Sequence, residues 1–437
     1  MSIRPSVTSQ SSWRERALAS LPAGSNGEFG LPPELVPVIE RGAGPLVWDT
    51  EGREFADFTM AWGAALPGHA RPEIIVAAMK AATDGANFAA VNRRAVQLAE
   101  RLQQLCPCAE RVRFVASGTE ATMLCLRVAH AATGRRKVLR FEGAYHGQHP
   151  VGVAGMIHGQ PRNLPHCDPS GAGAPWVEND VLVAPYNHLE QTAAIISAHA
   201  SELAAVIVEP FHRCLSPAPG FLQGLREVTR KHGVVLVFDE VVTGFRFAPG
   251  GAQQYYGVTP DLAAYGKALG GGFPIGAYAG RADIMDAVNE HRLPGPGYAW
   301  SASTTGGNPV SCAAALATLD LLCQPGTHDH LHALGRRFRQ RLTDTLAELN
   351  IPTQILGDGP IAQLAFTSKP VTDHDSYLAT DRVLGRAVML GLIRNGIFLN
   401  PMGTKLYLSL AHTDAQLDRF CDALRVSLKP TQTGAGL

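Results

Sequence analysis

"AAVIVEPFHRCLSPAPGFLQGLREVTRKHGVVLVFDEV", residues 204–241, decides the architecture. Two apolar runs, AAVIVEP (204–210) and VVLVFDEV (234–241), flank FLQGLREVTRKHG (221–233), whose apolar residues recur at helical spacing and which closes on Gly233. Short apolar runs bounded by turn residues read as strands buried on both faces, and a glycine just past a periodic segment reads as a helix stop. The pattern recurs outward in both directions. RVRFVAS (111–117), KVLRF (137–141) and GAYAG (276–280) read as further strands, and EATMLCLRVAHAAT (120–133), followed by Gly134, as a further helix. Strands alternating with helices predict an α/β fold with a mostly parallel sheet.

On either side of this middle the pattern changes. Residues 1–65 combine a polar helix, the Gly/Pro-rich PAGSNGEFGLPPELVP, and PLVWDTEGREFADF, a strand–turn–strand signal. GNPVSCAAALATLDLL (307–322) reads as a helix leading out of the large 66–325 unit. Residues 326–437 read as α+β, with a helix over 328–349, short strands near 353–366 and a last strand and helix. The Gly/Pro-rich stretch 150–180 is expected to be either an active-site lid or an irregular excursion.

With 437 residues and equal numbers of acidic and basic side chains, the chain carries no charge excess that would favour nucleic acid or an anionic membrane. No apolar run reaches the roughly 20 residues of a membrane span, and the first residues lack the apolar core of a secretory signal, so a cytoplasmic protein is expected. Eight cysteines in this length do not form a disulfide framework and read mostly as buried thiols. His146 and His149 in YHGQH lie three apart, but Gly147 and the lack of an obvious third ligand argue against a metal, and none is expected.

Chemistry concentrates at strand ends, where open α/β sheets hold ligands. Lys267, in LAAYGKALGGGFPIGAY (262–278), is one of seven lysines against 31 arginines, and none lies between it and Lys231 or Lys369. An amine can lose its proton when desolvated and attack a carbonyl, which a guanidinium cannot. The other reading is a surface lysine before a glycine turn. Ser117-Gly118-Thr119 leads from a strand into a helix, offering amides and hydroxyls to a phosphate, or else an ordinary N-cap. Asp239 and Glu240 end a buried run, where a carboxylate needs a cation such as a pyridinium, or caps the next helix. Tyr145 and His146 follow another strand, as a platform for a flat ligand or as core residues. Pyridoxal phosphate needs a phosphate cradle, an aromatic platform, an acid for its ring nitrogen and an amine for its aldehyde.

With these motifs assembled, the sequence resembles the class III aminotransferases of the pyridoxal-phosphate fold type I group, nearest their glutamate-1-semialdehyde aminomutase-like branch. RFVASGTEATM, FEGAYHG, VIVEP, VFDEVVTGFR, GVTPDLAAYGKALGGGFPIGAY and TTGGNPVSCAAA occur in the family's order, and 28 positions separate Asp239 from Lys267. The resemblance implies a large domain with a mostly parallel seven-stranded sheet flanked by helices, and a small α+β domain from the N- and C-terminal segments. It implies that Lys267 holds the cofactor and shuttles the substrate proton, and that Asp239 pairs with the ring nitrogen. By the same resemblance Val241 and Tyr145 sandwich the ring, and Ser117, Gly118 and Thr119 hold the phosphate. His146 and Glu209 would adjoin the cofactor. Thr304 would reach the phosphate in a second subunit, making the active unit a homodimer with its sites at the interface.

The aminomutases bind substrate carboxylate through a serine and an arginine in the N-terminal glycine-rich segment, where this chain has Glu28 and no arginine. Near the C-terminus they carry a glutamate where this chain supplies Thr404 and Lys405. Both departures favour an aminotransferase whose pocket is set by Glu28, Phe29 and Trp62, with Lys405 or an unplaced arginine as carboxylate anchor. Trp62 also reads as core and Glu28 as a solvated loop acid. The alternatives are an aminomutase or racemase on the same scaffold, and a cofactor-binding protein without turnover.

Overall fold

After a first helix, Trp13–Ser20, comes an antiparallel meander: β1 (Ile39–Ala43), β2 (Leu46–Asp49) and β3 (Glu54–Asp57). The computed structural model describes residues 12–27, 30–156, 164–166, 175–293, 295, 297–400, 403 and 405–432. The central sheet follows, from β4 (Arg111–Val115), β5 (Lys137–Phe141), β6 (Val181–Ala184), β7 (Leu203–Val208), β8 (Val235–Asp239), β9 (Leu262–Tyr265) and β10 (Gly276–Gly280). Its order is β4-β10-β9-β8-β7-β5-β6. Only β10 runs against its neighbours, β4 and β9, so the other six strands point the same way.

The continuous apolar character of these strands has a direct cause in the pleat. Val235 and Val237 of β8 face the helix Gly118–Thr133, with Ala205, Ile207, Leu262 and Ala264 beside them. Leu236 and Phe238 face the opposite layer, against Leu98 and Leu102, Leu222 and Leu225, and Cys312, Ala315 and Leu319 of three further helices. Alternating side chains are thus buried on both faces, each large one contributing roughly 1.5–3 kcal/mol. The helix Gly118–Thr133 stops at Gly134, which takes φ +66°, and Phe221–Lys231 stops before Gly233 at φ +60°. Both glycines end helices in the left-handed conformation, as their positions in the sequence predict.

The remaining strands are β11 (Gln354–Leu356), β12 (Ile361–Ala365), β13 (Ile397–Phe398) and β14 (Lys405–Tyr407). β13 adds to the N-terminal meander by pairing in parallel with β3. Ala56 and Phe58 share a buried cluster with Leu334, Phe338, Val388, Ile397, Leu406 and Leu424. N- and C-terminal segments therefore build one core.

Several elements differ from the sequence expectation. The strand expected over 111–117 ends at Val115 because Ser117 starts the next helix, and that over 234–241 ends at Asp239. β1, β6 and β13 are not anticipated, and β9 only as a strand end before Lys267. Leu262–Tyr265 is half alanine, a poor strand former, and becomes a strand because β8 and β10 pair on both sides of it. Residues 157–163 and 167–174 of the stretch expected to be a lid or an excursion lie outside the described residues, as do Glu28, Phe29 and Thr404. The seven described cysteines are unpaired, and six are buried. No helix among the described residues is long and apolar enough to cross a membrane.

Candidate active site

The parallel strands of the sheet bring their C-terminal ends to one edge. Ser117 lies two residues past β4, Tyr145 four past β5, Glu209 one past β7, Asp239 at the end of β8 and Lys267 two past β9. One chain direction thus assembles these residues from five separate segments.

The helix Gly118–Thr133 begins with Ser117 as its N-cap, the hydroxyl accepting from the Glu120 amide at 3.2 Å. The N-cap reading of Ser117 therefore holds, and its side chain is engaged before any ligand arrives. Glycine at 118 has a steric reason: a Cβ there would lie 2.8 and 2.9 Å from the two Val241 methyl groups. A Cβ at Gly266 would lie 3.3 Å from the Gly118 Cα and 3.4 Å from Val241 Cγ1. Gly266, Gly118 and Val241 are stacked, which fixes the lysine-bearing turn against the helix start. The loop carrying Gly147 closes over Thr119, whose hydroxyl accepts from the Gln148 amide at 3.4 Å.

Lys267 is half-buried, and its φ of +44° is left-handed, a strained conformation for a non-glycine residue. The surface-lysine reading fails. Burial pushes its ammonium down from 10.5 to about 8; Asp239 and Glu209 oppose this shift, while Lys405 and Arg246 add to it.

The two adjacent carboxylates divide the roles read for them. Asp239 is buried, with Oδ2 2.8 Å from His146 Nδ1 and Oδ1 accepting from the Val241 amide at 3.1 Å. Glu240 faces the other way, accepting from the Thr243 hydroxyl at 2.6 Å and from the Ala252 and Gln253 amides at 2.8 and 2.9 Å. Glu240 is thus the helix-capping acid, and Asp239 the acid turned to the Lys267 side. His146 is fully buried and its Nε2 lacks a hydrogen-bond partner. Its neighbour His149 caps the short helix Pro150–Val153, and burial holds its ring down to about 4.

Glu209 ties two segments together: Oε1 accepts from the Tyr145 amide at 2.9 Å and Oε2 from the Arg213 amide at 3.0 Å. Burial opposes its ionisation, but Arg213, His212, Lys405 and His146 hold it well below the usual carboxylate range. Tyr145 is half-buried beside it.

Trp62 is 38% exposed and is not core. It sits in a run of left-handed residues, Met60, Ala61, Trp62 and Gly63, with φ from +45° to +84°. Arg246, fully buried, donates to the Gly63 carbonyl and lies 5.3 Å from the Tyr407 ring centroid. Lys405 lies on the same strand as Tyr407, its ammonium 5.9 Å from that ring. Thr304 is exposed, its carbonyl accepting from the Asn87 side chain at 2.9 Å, and its side chain is not among the contacts joining the Lys267 cluster.

Sequence reasoning missed Arg246 and Arg213 as members of this neighbourhood. Arg246 ends the motif VFDEVVTGFR and Arg213 follows VIVEP, yet nothing in the order of residues says that these guanidinium groups turn inward. A cavity of about 500 Å³ lies instead at the opposite edge of the sheet, lined by Arg226, Arg230, Asp261 and Arg281. There Arg226 and Arg281 are committed to the Asp261 carboxylate at 2.8 and 3.1 Å, so it has no bearing on Lys267.

These residues suit pyridoxal phosphate. The glycine-backed helix start offers free amides, Asp239 is a buried acid held by His146, and the unpartnered His146 Nε2 marks a polar interior built for more than packing.

The aminotransferase class-III family model matches residues 32–428. A glutamate-1-semialdehyde 2,1-aminomutase 2 of Brevibacillus brevis is 39% identical over 395 residues, covering 90% of each chain. Among solved structures, an omega-transaminase from Sphaerobacter thermophilus superimposes with a TM-score of 0.90 at 34% identity, over 96% of this chain and 97% of the other. A β-phenylalanine aminotransferase from Variovorax paradoxus gives 0.86 at 32% identity, over 96% and 93%. The shared fold, the near-complete coverage and the ordered strand-end motifs agree: this chain belongs to the class-III aminotransferase family.

Proposed function

We propose that the protein is a pyridoxal-phosphate-dependent aminotransferase, moving an amino group from an amino acid or amine to a keto acid or other carbonyl acceptor. The observation that carries this is the convergence of Lys267 and Asp239 across the Gly266–Gly118–Val241 stack, with the lysine amine near neutrality. When bound, the cofactor supplies an electron-withdrawing ring that acidifies the substrate carbon next to nitrogen. Lys267 Nζ takes the proton from that carbon and returns it at the other end of the same system. Asp239, held by His146, keeps a proton on the ring nitrogen. Val241 and Tyr145 support the two ring faces, Glu209 fixes Tyr145, and the amides of Gly118 and Thr119 hold the phosphate, with Ser117 ordering that helix start.

The exposure of Thr304 supports its service to a second copy, so a cytoplasmic homodimer with sites at its interface is proposed as the active unit. We also place the unit boundaries at 1–65, 66–325 and 326–437, which the shared N- and C-terminal core supports.

An aminomutase is the second reading, favoured by the 39% identity to proteins of that name. The absence of an arginine in the N-terminal glycine-rich segment weighs against it. A panel of amino donors against pyruvate and 2-oxoglutarate, followed through the cofactor's visible band, tests the proposal. Transamination that depends on the acceptor supports it; isomerisation with no external acceptor replaces it with the second reading. Lys267→Ala is expected to abolish turnover, and an active variant refutes the assignment.

A further inference from the structure

Two cations flank the Glu209 carboxylate without pairing with it. Both oxygens of Glu209 are taken by the amides of Tyr145 and Arg213, and no carboxylate among the described residues lies within ion-pair distance of the Arg213 guanidinium or the Lys405 ammonium. Both residues are half-buried, which is costly for a charge with no direct ion-pair partner. Their backbones are brought together by packing. Cys214, next to Arg213, and Tyr407, on the same strand face as Lys405, share a buried cluster with Met60 and Phe211. Arg213 also takes φ +58°, a strained conformation for arginine, in the turn between the bridged residues His212 and Leu215. Both lie near the Lys267 cluster: Arg213 acts electrostatically on Tyr145 and Glu209, and Lys405 on Glu209 and Lys267.

We propose that Arg213 and Lys405 form the subsite that binds the carboxylate of the substrate, so that the enzyme selects amino acids and keto acids over simple amines. This rests on the aminotransferase reading. A carboxylate entering between the two groups supplies the missing counter-charge and accepts charge-assisted hydrogen bonds from both. Glu209 is oriented by the two backbone amides that its oxygens accept from, and its single charge leaves one of the two cations unbalanced.

The test uses the cofactor-loaded enzyme and three donors: 2-aminobutyrate, 3-aminobutyrate and sec-butylamine, which has a methyl group in place of the carboxylate of either acid. Arg213→Asn keeps a residue that tolerates the left-handed turn, and Lys405→Met keeps the stem length. Each is expected to lower the ratio of kcat/KM for the preferred aminobutyrate to that for sec-butylamine by about tenfold or more, the scale of one lost charge-assisted bond. Arg213→Lys is expected to recover part of the ratio. Calorimetric binding of unreactive butyrate is expected to weaken in parallel, and this readout needs no turnover. Unchanged ratios and butyrate affinity in both folded variants overturn the subsite while leaving the aminotransferase reading intact. Loss of butyrate binding in both variants, in an enzyme that converts none of the donors, keeps the subsite and rejects that reading.

Discussion

The depressed Lys267 amine has a consequence that is measurable in the protein before any cofactor is added. Burial brings its pKa from 10.5 to about 8. At pH 7 a group at 8 is roughly one-tenth free amine, whereas one at 10.5 is roughly 0.03% free, a difference of about 300-fold in nucleophile. Reductive methylation of the apoprotein with formaldehyde, quantified by mass spectrometry at each pH, reads this directly, with exposed Lys80 as comparator in the same sample. Modification of Lys267 is expected to rise with pH through a midpoint near 8. The neighbours fix the signs of two shifts. Lys405 lowers the Lys267 value, so Lys405→Met should move the midpoint up; Asp239 raises it, so Asp239→Asn should move the midpoint down. A midpoint above 10, or either variant shifting the wrong way, would refute the electrostatic account.

Other consequences follow from packing and capping. Gly118→Ala drives a Cβ to within 2.8 Å of Val241, an overpacking of about 1–3 kcal/mol, and should weaken cofactor retention in a dialysis assay. Adding Val241→Ala should then recover stability in thermal melts, and failure to do so would place the clash elsewhere. Glu240→Ala strands the Thr243 hydroxyl and the Ala252 and Gln253 amides, and should cost about 3 kcal/mol by denaturant titration while leaving the visible band in place. Asp239→Ala should show the reverse: a folded protein that holds the cofactor weakly and turns over little.

Much was legible in the chain because strand and helix signals are local. The apolar run ending at Asp239 is a strand buried on both faces, and helix stops at Gly134 and Gly233 need only a left-handed residue. An isolated lysine in an arginine-rich chain raises the question of amine chemistry, which the other strand-end motifs then answer. Other features depended on contacts between remote segments. Leu262–Tyr265 has little strand propensity of its own and is held by the strands on either side. Asp239 and Glu240 are equivalent in the sequence; the two-residue period of the pleat turns one towards His146 and the other towards Ala252. The sequence by itself therefore determined the α/β class, the strand-end motifs and the lysine proposed to react. Tertiary structure alone decided which carboxylate turns towards His146 and which caps a helix, and that Arg213 and Lys405 both act on Glu209. Local periodicity sets secondary structure, but the direction of a side chain past a strand end is set by what packs around it.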